Sequence, residues 1–219
     1  MNHTTELSRQ SALHIPADLR STPGRARRQR VWLEERADFT HLNLRGSVDE
    51  VGFNASVAAV VGVAPPRQPN RVAHSGPNLI YWLGQDEWLI VSSSPVQMIT
   101  VPLVTALEQQ HYALVDVSGG QMILRIGGAE VRNVIASGCT LDLHPRAFEA
   151  DQCAQSLLAG IPVLVHRVGD LKGGSIFDLL VRRSFAQHLF DWLIDAAREV
   201  GIVCLLYTSP RPRDATLSR

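Results

Sequence analysis

The sequence predicts an α+β protein built from two similar halves with mostly antiparallel sheets. Short runs with period-two apolar alternation recur along the chain and outnumber its helical stripes. Strand and helix do not alternate strictly, as a doubly wound parallel sheet requires. The segment order reads roughly β-α-β-β-β-α and then β-β-α-β-β-β-α. One plan is therefore used twice, over residues 31–111 and 112–203.

In the first half, Val31 to Leu33 and His41 to Arg45 are short strands. Ser47 and Glu50 have the S-x-x-E spacing of a capping box, and Phe53, Val57, Val60 and Val61 form the helical stripe behind it. Pro65, Pro66 and Pro69 force a loop. Strands follow at Val72 to Ala73, Leu79 to Leu83 and Trp88 to Val91, the last two joined by a turn at Gly84 to Glu87. A helix within Pro95 to Gln110 is expected to start near Thr100, because Pro102 is tolerated in a first turn.

In the second half, strands at Tyr112 to Val117 and Gln121 to Ile126 flank a Ser118-Gly119-Gly120 turn. A short helix over Ala129 to Ser137 is ended by Gly138. Strands at Cys153 to Leu158, Val163 to Val168 and Ile176 to Val181 lead into a final helix. There, Ser184 and Gln187 form a second capping box, and Phe185, Leu189, Trp192, Leu193 and Ala196 share one face.

The two ends read differently. Residues 1–30 are polar and broken by Pro16, Pro23 and Gly24, with charge concentrated at Arg20, Arg25, Arg27, Arg28 and Arg30. They read as a disordered or mis-assigned leader, with a basic arm docking on an acidic partner as the alternative. Residues 204–219 read as a non-native tail. From Leu205 the letters LLYTSPRPRDATLSR look like translated adapter sequence, and Tyr207 onward is expected to pack on nothing.

Lys plus Arg and Asp plus Glu balance at 21 each. A general binder of nucleic acid or anionic membrane carries a positive surplus, so neither partner is expected. No apolar run approaches the ~20 residues of a membrane helix. Cys139, Cys153 and Cys204 form no C-x-x-C pair, which fits a reducing cytoplasm. Lys172, in LKGGS, is the single candidate for lysine chemistry.

Motifs for chemistry are weak. Ile126-Gly127-Gly128-Ala129 sits between a strand and a helix without a dinucleotide or GKS pattern, so a tight turn is the simpler role. Cys139, Asp142, His144 and His166 lack the spacing of metal ligands. Cys153 or Cys139 with His144 or His166 has no surrounding nucleophile signature. Asp86-Glu87 is a solvated turn. Tyr81, Trp82 and Trp88 flank one hairpin, either as a stacking surface or as core. Arg182-Arg183 at the last strand–helix joint pairs either across a subunit interface or within the chain to Asp178 or Asp191.

Several segments taken in order resemble the gamma subunit of heterotetrameric sarcosine oxidase. They are LNLRG (Leu42 to Gly46), WLGQDEWLIV (Trp82 to Val91), VDVSGGQMILRIGG (Val115 to Gly128), GCTLDLHPRAF (Gly138 to Phe148), CAQSLL (Cys153 to Leu158), HRVGD (His166 to Asp170) and FDLLVRRSFAQHLFDWLIDAA (Phe177 to Ala197). The small subunit of N-methylglutamate dehydrogenase shares much of this pattern.

The resemblance implies the fold of the folate-binding region of aminomethyltransferases. It implies a complex that demethylates sarcosine to glycine, hydrogen peroxide and methylenetetrahydrofolate. FAD, FMN, NAD and tetrahydrofolate are then carried by other subunits, and this chain holds no cofactor or metal and supplies no catalytic residue. The implied partners are larger alpha and beta subunits and a small zinc-binding delta subunit. Trp82, Asp86, Trp88, His144, Arg146, Arg182 and Arg183 are the candidate interface residues. The small subunit of N-methylglutamate dehydrogenase is one alternative, and a stand-alone folate-binding or aminomethyltransferase-like protein is the alternative from another class.

Overall fold

The computed structural model describes residues 11–21, 30–171 and 173–205 of the 219-residue chain. Its strands are Arg20–Ser21 (β1), Val31–Arg36 (β2), Thr40–Arg45 (β3), Val72–Ser75 (β4), Asn78–Gly84 (β5), Glu87–Ser92 (β6), Ala113–Asp116 (β7), Gln121–Gly128 (β8), Gln152–Leu158 (β9), Ile161–Leu171 (β10), Gly174–Arg182 (β11) and Ile202–Leu205 (β12). Its α-helices are Val51–Val61 (α1), Gln97–Ala106 (α2), Val131–Ala136 (α3) and Ala186–Ala196 (α4).

A small sheet has the order β4-β5-β6-β3-β7, and a large sheet has β1-β12-β2-β8-β11-β10-β9. All pairings are antiparallel except those of β12 with β1 and with β2. The small-sheet order matches the large-sheet order β9-β10-β11-β8-β2, so one plan does occur twice. The division near residue 112 needs correction, however. β2 precedes that boundary but pairs with β8, and β7 follows it but pairs with β3. Each repeat gives its first strand to the other repeat's sheet. Alternation within a strand specifies its two faces and not its partner, so the sequence pattern could not reveal the exchange.

The two crossings between sheets are tied together. Ser118 Oγ accepts the His41 amide at 2.9 Å and donates to Asp116 Oδ1 at 2.5 Å, while the Val117 amide donates to the His41 carbonyl at 2.9 Å.

Four layers result. On the outer face of the small sheet, Leu42, Leu44, Ile80, Trp88 and Ile90 pack against Phe53, Val57 and Val61 of α1 and Ile99 and Leu103 of α2. On the outer face of the large sheet, Leu124, Ile126, Phe177, Leu179, Val181, Val163 and Val165 pack under α3 and α4. Between the sheets lie Val72, Tyr81, Leu89 and Val91 against Ile123, Cys153, Leu164 and Leu180. Both faces of β11 are therefore covered, which is why its sequence is almost wholly apolar.

Local signals were partly overruled. Neither capping box forms: α1 starts after Glu50 and α4 after Phe185, both without a side-chain cap. Ser47 instead accepts the Glu50 amide with its carbonyl, and Gln187 Oε1 accepts the His14 amide at 2.6 Å. α2 starts at Gln97, so Pro102 lies inside the helix. Its missing N–H falls on the solvent side while Ile99 and Leu103 anchor the other side, so tertiary packing offsets the lost bond.

The expectation of a disordered leader is corrected for residues 11–21. Ala12, Leu13, Ile15 and Leu19 pack against the large-sheet core, and β1 pairs with β12. Ser11 Oγ donates to Glu35 at 2.6 Å, and the Arg20 guanidinium donates to the Ile15 carbonyl. At the other end β12 includes Cys204 and Leu205, with Cys204 buried between β1 and β2. Arg25, Arg27, Arg28, Lys172, Tyr207 and Leu217 lie outside the described residues.

The Gly127-Gly128 pair serves a close approach between strands. Gly128 has φ +132°, and a Cβ there would overlap the Arg30 carbonyl oxygen. Gly174, its neighbour across β11, has φ +131° and would press on the Gly128 carbonyl. Gly128→Ala is accordingly expected to cost about 2–4 kcal/mol, read as a lowered midpoint in urea. Wild-type stability would show that β2 and β8 do not approach this closely.

Candidate functional site

Strand register builds a polar row across the inner face of the large sheet. Cys153 on β9 opposes His166 on β10, which opposes Asp178 on β11; Asp178 opposes Arg125 on β8, which opposes Glu34 on β2. Direct cross-strand partners share a face, so all five side chains project toward the small sheet.

Arg125 and Asp178 are the centre of this row. Arg125 Nε donates to Asp178 Oδ1 at 2.6 Å and its terminal nitrogen to Oδ2 at 2.7 Å, a two-pronged pair. Asp178 is 3% exposed. Burial opposes the charge on Arg125, but the Asp178 carboxylate outweighs it and holds the guanidinium above its ordinary pKa.

Beside the pair, Tyr81 reaches in from β5. Its hydroxyl lies 3.3 Å from His166 Nδ1, with the rings edge-to-face at 5.2 Å. Burial, with the Asp178 carboxylate behind it, pushes the Tyr81 phenol well above its ordinary range. The other ring nitrogen of His166, Nε2, lies 4.0 Å from Asp151 Oδ1.

Asp151 sits at the seam between the two sheets. It has φ +58°; its amide donates to the Arg167 carbonyl and its carbonyl accepts the Val72 amide, each at 2.9 Å. His74 Nε2 lies 3.7 Å from its other carboxylate oxygen. The His166 contact lowers the Asp151 pKa against an opposing effect of burial, and His74 adds to the lowering. Nearby, Arg167 donates to the Phe148 carbonyl and to Asp170, which also accepts from Ser175; these bonds fix the β10–β11 hairpin.

The cysteines and histidines weighed in the sequence for catalysis or metal binding are spread over separate environments. Cys153 and His166 do face each other across β9 and β10, but burial pushes the Cys153 thiol up to about 12. Its sulfur rests 3.7 Å from the carbonyls of Arg71 and Trp82. Too little thiolate exists at neutral pH for it to act as a nucleophile. Burial likewise pushes Cys204 up to about 12. Cys139 is buried against Ser156 Oγ, and His144 lies on an exposed loop where its Nδ1 accepts the Arg146 amide. Among the described residues, no three His, Cys, Asp or Glu side chains converge as metal ligands would.

The candidate interface residues do not form one surface. Tyr81 faces the seam, whereas Trp82 and Trp88 oppose each other on the helix side, so the three aromatics make no common platform. Trp88 is 0% exposed and donates its indole N–H to the Pro66 carbonyl at 3.0 Å. It is core, which removes it from the interface set. Trp82 is half-buried, while Asp86, His144, Arg146, Arg182 and Arg183 are exposed. Asp86 lines a depression of about 350 Å³ with Gly46 to Asp49 and Gln85. Arg182, Arg183 and Ser184 line a separate one of about 650 Å³ with Ala12 and Gly120. Asp178, one expected intrachain partner of these arginines, is taken by Arg125. The other, Asp191, accepts from Gln187 at 2.7 Å.

Sequence reasoning passed over Arg125 and missed Tyr81–His166 as a pair. The available signal was a single charged letter inside each of two apolar strands, MILRIGG and IFDLLV. Buried charges are paired, so each needed an opposite partner at the same depth.

The profile of the sarcosine oxidase gamma subunit family matches residues 45–199. The sarcosine oxidase subunit gamma of Corynebacterium sp. (strain U-96) is 34% identical over 201 residues, covering 91% of this chain and 94% of that one. The subunit gamma of an Arthrobacter sp. is 32% identical over 90% of this chain and 93% of that one. A solved chain of the heterotetrameric sarcosine oxidase from Corynebacterium sp. U-96 superposes with a TM-score of 0.71 at 34% identity, covering 78% of this chain and 86% of that one. The glycine cleavage aminomethyltransferase of Bartonella henselae shares the fold at 12% identity, with a TM-score of 0.58 over 81% of this chain and 48% of that one.

Two outcomes follow from the polar row. Asp178→Asn leaves the mostly buried Arg125 charge without its carboxylate and is expected to cost about 3 kcal/mol in chemical denaturation, the low end for a buried pair because the Arg125 side chain is 22% exposed, whereas Arg125→Met with Asp178→Leu is expected to recover most of that loss. Equal losses in both would place the cost in packing. At Asp151 the folded pKa lies below the ordinary 3.8, so the unfolded chain binds more protons in that window. The advantage of wild type over Asp151→Asn should be full above about pH 5 and vanish as pH falls through the depressed pKa. A stability difference independent of pH down to 3 would contradict the contact.

Proposed function

The chain belongs to the sarcosine oxidase gamma subunit family, and from that premise we propose that it is the accessory, non-catalytic subunit of a flavin-dependent heterotetrameric sarcosine oxidase. The assembled enzyme would oxidise the N-methyl group of sarcosine. A flavin on a partner subunit would supply the two-electron oxidation, with oxygen as the final acceptor and hydrogen peroxide as its product. The methyl carbon joins tetrahydrofolate as methylenetetrahydrofolate, and glycine is released. FAD, FMN, NAD and tetrahydrofolate would reside on other subunits, with alpha and beta as large partners and a zinc-binding delta as the fourth, all in the cytoplasm.

One observation carries the accessory role. The inner row is committed to structure: Cys153 and Tyr81 are held protonated by burial, and Arg125 and Asp178 neutralise each other. A catalytic site tunes such groups toward neutral pH and exposes them to substrate, which is the opposite arrangement. Of the surface candidates, Asp86, His144, Arg146, Arg182 and Arg183 are exposed and Trp82 is half-buried, and these are the residues we assign to contact with partners.

Co-expression with the alpha and beta subunits of the same genome tests the reading. The chain is expected to co-purify with them in equal amounts and to raise the yield of sarcosine-dependent peroxide formation. Titration of the isolated chain with tetrahydrofolate is expected to give no saturable binding. A stable free chain that never enters the complex, or micromolar folate binding by the chain alone, would favour a stand-alone folate protein.

A further inference from the structure

Neither α1, with 11 residues, nor α2, with 10, contains a charged side chain. Each helix needs one side for the core: Phe53, Val57 and Val61 on α1, Ile99 and Leu103 on α2. A helix bordered by water is polar on its other side, and one that is apolar all round is covered. Here the other sides are uncharged and open, with Gln97 and Thr105 as the exposed polar residues among apolar ones. Met98, Val101 and Val104 are 69%, 63% and 49% exposed along α2. Ala55 and Ala59 are exposed on α1, which packs beside α2. The remaining large apolar residues exposed among the described residues, Val115, Leu157, Leu171 and Phe185, lie on separate elements. On the opposite layer α4 presents His188, Asp191 and Asp195 to solvent, as a water-facing helix does.

We propose that the outer face of α1 and α2 is the surface through which this chain docks on a larger subunit of the oxidase, against an uncharged apolar patch of that subunit. The proposal rests on the accessory-subunit reading and adds the face that reading lacks. Interface centres are depleted of charge and enriched in Met, and this helix pair has that composition. The occupant follows from area. Two helices about 16 Å long, spaced about 9 Å apart, present on the order of 300 Å². A second copy meeting the same patch across a two-fold axis would bury about 600 Å² in total, half of what a stable dimer needs. A larger, differently shaped partner can cover the patch and continue over its polar rim, where Asp49, Arg67 and Glu108 stand. The related chain of known structure belongs to a heterotetramer, so such a partner exists for the family.

The test uses the co-expressed complex. Met98→Glu with Val101→Lys places an i,i+3 ion pair on α2, which suits the helix but puts two charges in the patch. Leu157→Lys places a charge at an exposed apolar residue elsewhere. The helix variant is expected to keep the wild-type thermal midpoint and circular dichroism as an isolated chain, and to lose at least about tenfold in recovery with the large subunits. Leu157→Lys is expected to assemble like wild type. Assembly of the helix variant at wild-type level, with wild type itself assembling, overturns the docking face alone. Equal loss in both variants overturns it too, as does a wild-type homodimer that the helix variant abolishes while still entering the complex. Failure of wild type to assemble overturns the accessory-subunit reading and this proposal together.

Discussion

A charge pair that cannot be left half-made organises this protein. Arg125 and Asp178 meet between two sheets, where the carboxylate is shut off from water and the guanidinium is mostly so, and the fold brings them together with both prongs aligned. That requirement pins the register of β8 against β11. A slip of one residue would turn the guanidinium into the helix-covered core and swing Leu124 and Ile126 into the polar row of the seam. With β8 and β11 placed, His166 falls opposite Asp178 and within reach of Tyr81, and Asp151 closes the seam from the edge. The pair specifies alignment more than it adds stability, as buried ion pairs tend to do.

The exchange of first strands between repeats explains why the seam must be so well specified. β2 belongs in sequence to the repeat whose other strands form the small sheet, yet completes the large one, and β7 does the reverse. Neither sheet is whole without the other repeat, so the halves cannot open like two linked domains. The hydrogen bonds of Ser118 and Asp116 around His41 fasten the two crossings where they pass. β1 and the segment before it add a further cover, held to α4 through Gln187 and to β12 by strand pairing.

Much of this was legible in the letters. Period-two runs located most strands to within a few residues, and the repeated plan emerged from their order. Where local rules failed, a stronger tertiary contact explains the failure. Gln187 reads as a capping residue because only four positions of its neighbourhood are visible in sequence, but the His14 amide arrives from far along the chain. Pro102 reads as a helix start because its lost hydrogen bond is a local cost, while the burial of Ile99 and Leu103 that offsets it is not local. Trp88 reads in sequence as either surface or core beside an acidic turn, and its strand turns it inward, where the Pro66 carbonyl satisfies its indole.

By itself, the sequence determined the α+β class, the doubled order of strands and helices, the balance of charge and the family pattern spread along the chain. Each of these depends on neighbours within a few residues or on overall composition, and such information survives in a linear string. Only the tertiary structure decided which sheet each first strand joins, that Arg125 and Asp178 are partners, that Cys153 is buried beyond reactivity, and that α1 and α2 leave an uncharged face outward. Those facts depend on residues that are distant in the chain and adjacent in space. Burial, which sets the energy of every charge and apolar group, is a property of that adjacency and of no single segment.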